Sequence, residues 1–311
     1  MKLATYVHGR AESFGVVTDE GLLDVPAAWP DGPKCLLAAL QAGADVLDRI
    51  ARLAGQAGER IAMEAVSLRA PLPAPPKLIG LAVNYAEHHR ECDRGGSELP
   101  DDPRRHTTPR PFLMPASAVA DPGAVIPWPP YSRDVDYEIE LAVVIGSRAK
   151  CISPADARGC IAGYTIANDV SARTVTHAAG RSERPKDGFF DWLHGKWSDG
   201  FCPLGPWLVT ADEIGDPQDL SLELTVDGEV RQRSSTAHMI FTVNELVSFL
   251  SHVMTLGPGD VIATGTPSGV GMATGRLLKG GETISCRIDG IGELTNTLAM
   301  PPETFYTPCA D

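Results

Sequence analysis

Glu138 and Glu140 stand two positions apart at the head of the apolar run 141–145. Strand side chains alternate between faces, so both carboxylates would leave one face while Ile139 leaves the other. Two adjacent anions repel, and a fold that keeps them together normally sets a cation between them. A Glu-x-Glu pair also marks a half-solvated strand face, which needs no metal. The run that follows weighs against that alternative, because it leads into a core where unpaired carboxylates are costly. A third candidate is Asp169, at the end of the strand-like stretch 163–168. An Asp at a strand end is ordinarily a turn former. Beside Glu138 and Glu140 it would complete a set of three hard oxygen ligands with room for water or substrate. Mg²⁺ or Mn²⁺ suits that set best, since few His or Cys partners are at hand.

Holding three carboxylates in register requires a sheet. Strand candidates occur at 77–83, 125–126, 138–145, 161–167, 207–209, 222–226, 261–264 and 283–288. One long helix is expected at 243–255, from the spacing of Leu246, Phe249, Leu250 and Val253. Mostly antiparallel strands with few helices predict an α+β, mostly β fold of the roll or sandwich kind. Upstream, strand patterns at 2–7, 13–17, 22–25 and 66–68 and helical patterns at 34–42 and 45–54 read as a small N-terminal α/β module. The segment Pro71-Leu72-Pro73-Ala74-Pro75-Pro76 continues neither helix nor central strand, so the expected division is 1–72 and 73–311. The stretches 92–110 and 177–192 are dense in Gly and charge and read either as active-site lids or as plain surface insertions.

Composition narrows the classes of partner. Among 311 residues, 27 are Lys or Arg and 40 are Asp or Glu, a formal net charge of −13. Nucleic acid and anionic membranes are poor partners for such a surface. An anionic substrate must therefore meet local positive charge, from a metal or from placed Lys and Arg. No apolar stretch is long enough for a membrane span and no signal peptide is evident, so cytoplasmic residence is expected. Seven cysteines, odd in number and scattered without a Cys-x-x-Cys, read as reduced thiols.

Five motifs in order carry a resemblance. They are Asn84-Tyr85-Ala86-Glu87-His88-His89-Arg90-Glu91, Asp136-Tyr137-Glu138-Ile139-Glu140-Leu141, Asn168-Asp169-Val170-Ser171-Ala172-Arg173, Gly195-Lys196, and the segment Thr264-Gly265-Thr266-Pro267-Ser268-Gly269-Val270-Gly271. Together, over about residues 75 to 300, they resemble the fumarylacetoacetate hydrolase family. The resemblance implies a mixed β-roll catalytic domain, commonly homodimeric, that binds Mg²⁺ or Mn²⁺, with Ca²⁺ able to substitute in crystals. It implies Glu138, Glu140 and Asp169 as metal ligands and His88 with Glu91 as a water-activating dyad. Lys196 and Arg173 match positive residues that face substrate, and Thr266 matches a threonine that holds a substrate carboxylate.

Elementary chemistry agrees with those roles. A 2-oxo acid or 1,3-dicarbonyl compound chelates a hard cation through two oxygens, which lowers the cost of forming an enolate. A spacing of three puts His88 and Glu91 on one side of a helical turn, where the carboxylate would orient the imidazole. Spacing alone does not separate His88 from His89; the family motif selects His88. Lys196 can stabilise charge on a carbonyl oxygen, and Gly265 allows close backbone approach to a ligand. The expected activity is hydrolysis of a carbon–carbon bond in an acylpyruvate such as fumarylpyruvate. A decarboxylase, isomerase or hydratase using the same enolate is the alternative, and a binding protein with a structural metal is the non-enzymatic one. Two departures from the family pattern bear on the substrate: Met114 stands where the family usually has Lys, and Thr176 where it has Gln. A cation is thereby expected to be lost near the entrance to the pocket. The cluster of Phe189, Phe190, Trp192 and Trp197 reads equally as pocket wall, subunit contact or core.

Overall fold

The structure is a computed structural model that describes residues 1–92, 103–105, 107–175, 182 and 184–306. At its centre the strand Ile139–Ile145 pairs antiparallel with Ile161–Asn168 on one side, Glu140 opposite Ala167, and with Val261–Ala263 on the other. Both of its faces are covered, which explains a run with no polar alternation beyond Glu140. Ile139, Leu141, Val143 and Ile145 enter one core, with Leu222, Leu224 and Ile284 of a second sheet and Leu246 and Leu250 of the helix Val243–Val253. Ala142 and Val144 enter another, with Phe14, Leu36, Leu40 and Ile50.

The large sheet has eleven strands among the described residues. Its main path runs Gly21–Asp24, Ala11–Thr18, Lys2–His8, Cys202–Thr210, Ile161–Asn168, Ile139–Ile145, Val261–Ala263, Leu78–Ala82, Arg110–Met114. The second sheet has five, in the order Glu229–Ser235, Ser221–Val226, Thr283–Ile288, Gly292–Leu298, Val125–Ile126. Pairing is antiparallel except between Val261–Ala263 and Leu78–Ala82, Val119–Ala120 and Cys202–Thr210, and Val125–Ile126 and Gly292–Leu298. The fold is thus α+β and mostly β, as the patterns predicted. Residues 1–72 are not isolated from the rest: Lys2 pairs with Val209, and the second core draws side chains from both sides of the proline segment.

The long helix forms at Val243–Val253, started by a capping box in which Thr242 and Glu245 satisfy each other's backbone amides. Six strands among the described residues escaped the pattern reading: three pairings of two residues each, Val119–Ala120, Val135–Asp136 and Ser171–Ala172, and three longer strands. Arg110–Met114 carries a proline and lies at the sheet edge. Glu229–Ser235, also an edge, is rich in Arg and Ser and has little apolar alternation. Gly292–Leu298 contains Gly, Glu and Asn, which strands disfavour. Among the described residues no helix is long and apolar enough to cross a membrane. Cys35, Cys151, Cys160, Cys202 and Cys286 are free thiols; Cys92 and Cys309 lie outside the described side chains.

Candidate metal centre and active site

The regular strand begins at Ile139, one residue later than the pattern suggested, yet Glu138 stays in register because its carbonyl accepts from Asp169 N at 2.9 Å. That bond places the strand-end Asp beside the Glu pair. Glu138, Glu140 and Asp169 each offer a carboxylate oxygen, all within 4.8 Å of one another, and all three residues are buried. Asp169 Oδ1 is buried with no hydrogen-bond partner, an acceptor waiting for a positive ligand. Three hard oxygen donors, one of them unsatisfied, fit Mg²⁺ or Mn²⁺.

Two cations already touch the cluster. Lys196, at 2% exposed, sets Nζ 2.6 Å from Asp169 Oδ2 and 2.8 Å from Glu138 Oε2. Arg173 donates to Glu138 through Nη2 and, at 2.8 Å, to Asp136 Oδ2 through Nε. The consequences differ along the triad. Burial opposes ionisation of Glu138, but Lys196 and Arg173 outweigh it and hold the carboxyl at about 2. Burial pushes Asp169 up to about 6, with Lys196 pulling it down and Glu138 adding to the rise. Glu140 lies well above the usual carboxylate range because it is buried and faces Asp169 and Glu138, with Lys196 only partly compensating. Against burial, the carboxylates Asp169 and Glu138 raise Lys196, which keeps its charge. With all three carboxylates ionised, as metal binding requires, their charges against the two on Lys196 and Arg173 leave a net −1, which a dication reverses, so that an anionic substrate would then be attracted.

His88 and Glu91 sit on the helix Ala86–Cys92, and Glu91 Oε1 lies 2.7 Å from His88 Nδ1. The spacing of three therefore makes the expected contact. Glu91 is fixed in turn by Gly269 N, which donates to its Oε2 at 2.9 Å. The same loop reaches the rest of the site. Gly265 N donates to Glu140 Oε2 at 2.7 Å, and Gly271 N and Met272 N donate to Asp136 at 2.6 and 2.9 Å. One loop thus supports a triad carboxylate, the dyad carboxylate and the partner of Arg173. At Gly265 the backbone has φ +96°, and a Cβ there would lie 2.7 Å from that of Asn84. Glycine is required at this position.

A cavity of about 260 Å³ opens between these groups. His88, Glu138, Asp169, Arg173, Lys196 and Thr266 contribute its polar wall, and Leu81, Val83, Phe112, Trp192 and Met272 its apolar one. Val83 holds φ +57°, a strained conformation for a β-branched residue and a feature of functional sites. Six of the nine site residues singled out from the sequence line this cavity, while Glu91 is joined to it through His88 and Glu140 through the triad, and two contact patterns differ from expectation. Gly265 serves Glu140 through its amide rather than lining the cavity, and Lys196 and Arg173 spend donors on the triad itself. Met114 is corrected outright. It is buried in the second core opposite Leu78, and Phe112, two residues earlier on the same strand face, is the one that reaches the cavity. Thr176 and residues 93–102, 106, 177–181 and 183 of the two lid-like stretches lie outside the described residues, and the second stretch leads into the helix Asp187–His194. Of the aromatic cluster, Trp192 packs edge-on to Phe112 with centroids 5.0 Å apart, whereas Phe189, Phe190 and Trp197 are exposed.

Asp136 and Gln232 have no role in the sequence reading. Asp136 is fully buried and accepts from Arg173 and three backbone amides. Its only sequence signal is an acidic residue at the head of the Asp-Tyr-Glu-Ile-Glu motif. Gln232 had none, because its strand was not recognised.

Comparison with known proteins gives three kinds of match. The family described as fumarylacetoacetate (FAA) hydrolase C-terminal covers residues 77–299. A mitochondrial oxaloacetate tautomerase of Bos taurus is 39% identical over 278 residues, spanning 89% of this chain and 83% of that protein. Among solved structures, maleylpyruvate hydrolase from Sphingobium in complex with manganese(II) and pyruvate superposes with a TM-score of 0.74 at 30% identity, covering 97% of this chain and all of the other. A 5-carboxymethyl-2-hydroxymuconate delta-isomerase from Mycobacterium smegmatis gives a TM-score of 0.72 at 34% identity, with 97% and 100% covered.

Proposed function

Because the chain belongs to the fumarylacetoacetate hydrolase family of metal-dependent enzymes, we propose that it moves a proton between the keto and enol forms of a small 2-oxo dicarboxylic acid of the oxaloacetate type. The observation that carries this reading is the His88–Glu91 pair, joined at 2.7 Å, with His88 lining the same 260 Å³ cavity as Glu138, Asp169 and Lys196. Similarity to oxaloacetate tautomerases along 89% of the chain supports it. A Mg²⁺ or Mn²⁺ ion held by Glu138, Glu140 and Asp169 would supply Lewis acidity toward the 2-oxo group.

The chain's own residues do the rest. Glu91 engages Nδ1 of His88, so Nε2 is the ring atom that takes a proton from the carbon beside the ketone and returns it. The carboxylate also stabilises the imidazolium formed in between. Arg173 and the Thr266 hydroxyl bind the substrate carboxylate. Lys196, kept charged by its two carboxylates, adds positive potential where negative charge grows on oxygen. Trp192, Phe112 and Leu81 keep the apolar wall dry, which strengthens each of these interactions.

Hydrolysis of an acylpyruvate is the second reading, favoured by the likeness to maleylpyruvate hydrolase. There His88 would draw its proton from water instead of carbon. Stopped-flow absorbance of the oxaloacetate enol with Mn²⁺-loaded protein, run beside a pyruvate-release assay on acylpyruvates, separates the two. Faster enol decay without pyruvate release supports tautomerisation; pyruvate from an acylpyruvate alone would replace it with hydrolysis. His88→Ala should lower the rate by about 10²- to 10⁴-fold and leave Mn²⁺ binding by calorimetry intact. A homodimer and cytoplasmic residence stand in the same proposal, and light scattering on the eluting protein tests the first.

A further inference from the structure

Gln232 belongs to the edge strand of the five-stranded sheet, yet its side chain, 1% exposed, makes its hydrogen bonds with the large sheet and the loop beside the cavity. We infer that Gln232 is a positioning residue that turns the Thr266 hydroxyl into a hydrogen-bond donor toward a substrate carboxylate. This rests on the reading of the cavity as a 2-oxo acid site.

Three contacts define the amide. Oε1 accepts from Ile139 N at 3.0 Å, and Nε2 donates to Pro267 O at 2.9 Å and to Thr266 Oγ1 at 2.8 Å. A backbone N–H only donates and a carbonyl only accepts, so the orientation of the amide is fixed at both ends and a flip would break both bonds. One Nε2 hydrogen goes to Pro267, and the other goes to Thr266. A hydroxyl has a single hydrogen of its own. With Oγ1 accepting from Gln232, that hydrogen is left to be donated, and Thr266 lines the cavity beside Arg173 and Lys196. A carboxylate oxygen is an acceptor only, so a hydroxyl preset as donor binds it, whereas one already donating to the protein would present a lone pair and repel it. The partner at the other end of the amide matters as well. Ile139 lies between Glu138 and Glu140, so Gln232 ties the carboxylate-binding loop to the strand that carries two of the triad. Metal chelation and carboxylate recognition are thereby held in one frame, with no contact between Gln232 and the substrate.

Gln232→Glu is nearly isosteric and still accepts from Ile139, but it offers Thr266 an acceptor in place of a donor and draws the hydroxyl hydrogen away from the cavity. Gln232→Met removes both polar ends and serves if the first variant fails to fold, with Mn²⁺ affinity as the check on fold. Full-length Mn²⁺-loaded protein is titrated with oxalate by calorimetry, and KM and kcat are measured on oxaloacetate. Gln232→Glu and Thr266→Val should each weaken oxalate and raise KM by about tenfold. kcat should change by less than about twofold, Mn²⁺ affinity should hold, and the double variant should be no worse than either single one. Oxalate affinity unchanged in Gln232→Glu while Thr266→Val weakens it would overturn the inference, as would losses that multiply in the double variant. If no 2-oxo acid is turned over but the oxalate pattern appears, the positioning role stands and the proposed reaction falls. Failure of Mn²⁺-loaded wild type to bind oxalate removes both.

Discussion

Lys196→Met puts the electrostatics of the triad to a quantitative test. Lys196 is 2% exposed and lies 2.6 and 2.8 Å from two carboxylates. With it, the fully ionised triad sets three negative charges against two positive ones; without it, against Arg173 alone, and that net charge falls from −1 to −2. Methionine is close in volume, so packing changes little and the loss is electrostatic. Removing one partner from a buried ionic cluster costs about 3–5 kcal/mol, and that is the expected loss of unfolding free energy without metal near pH 8. Burial and Glu138 push Asp169 up to about 6 against the pull of Lys196; losing that pull raises it further, so protonation relieves part of the repulsion as pH falls and the loss shrinks. Mn²⁺ should restore most of the stability. It binds the folded site only, adding about 2.7 kcal/mol at a hundredfold excess over Kd, and it binds the variant more tightly because a competing cation has gone. Urea unfolding of wild type and variant, in chelator and in Mn²⁺, near pH 5 and pH 8, measures each quantity. A metal-free loss below about 1 kcal/mol, or a Mn²⁺ gain no larger in the variant than in wild type, would refute the picture of Lys196 and metal as alternative counter-charges.

Proton and metal compete at Asp169, whose folded value near 6 exceeds the ordinary 3.8 because of burial and Glu138. A raised value means that the contribution of Asp169 to metal-free stability is fully present below about 4 and is lost as pH rises through 6. Mn²⁺ takes the proton's place, so the Mn²⁺-induced rise in Tm should grow from about pH 5 to pH 7; a rise independent of pH would contradict the assignment. Gly265→Ala forces a side chain onto φ +96° and against Asn84, with an expected loss of about 2 kcal/mol or more. Because Gly265 N supports Glu140, Mn²⁺ affinity by calorimetry should fall with it. Asp136→Asn leaves Arg173 and three backbone amides sharing one oxygen instead of two. KM for oxaloacetate should rise by about tenfold with Mn²⁺ affinity kept, and unchanged KM would remove Arg173 from substrate binding.

Local chemistry was legible wherever it had a short period. The two-residue spacing put Glu138 and Glu140 on one face, the three-residue spacing joined His88 to Glu91, and an Asp at the end of the neighbouring strand closed the triad. Strands were legible where apolar residues ran together, as at Ile139–Ile145, and not where they lay at edges with Arg or Pro or carried Gly and Asn, as at Gly292–Leu298. That gap hid Gln232. Met114 was misread for a related reason. Its place in a motif suggests the pocket, but on this strand the cavity lies beside Phe112, and the next residue on that face packs into the core.

By itself, the sequence determined the kinds of groups this protein brings to a substrate: hard acidic ligands, a histidine with its carboxylate, and a few fixed cations in an acidic chain. Those follow from residue type and spacing over a few positions. Tertiary structure alone decided how they answer to one another. Ile139 and Gln232 are 93 positions apart, and Asp136 and Gly271 are 135 apart. No local periodicity encodes such contacts; they exist because two sheets and one glycine-bearing loop close around the cavity. The same closure buries the triad, which is why three carboxylates of one chemical class sit at about 2, at about 6 and well above the carboxylate range.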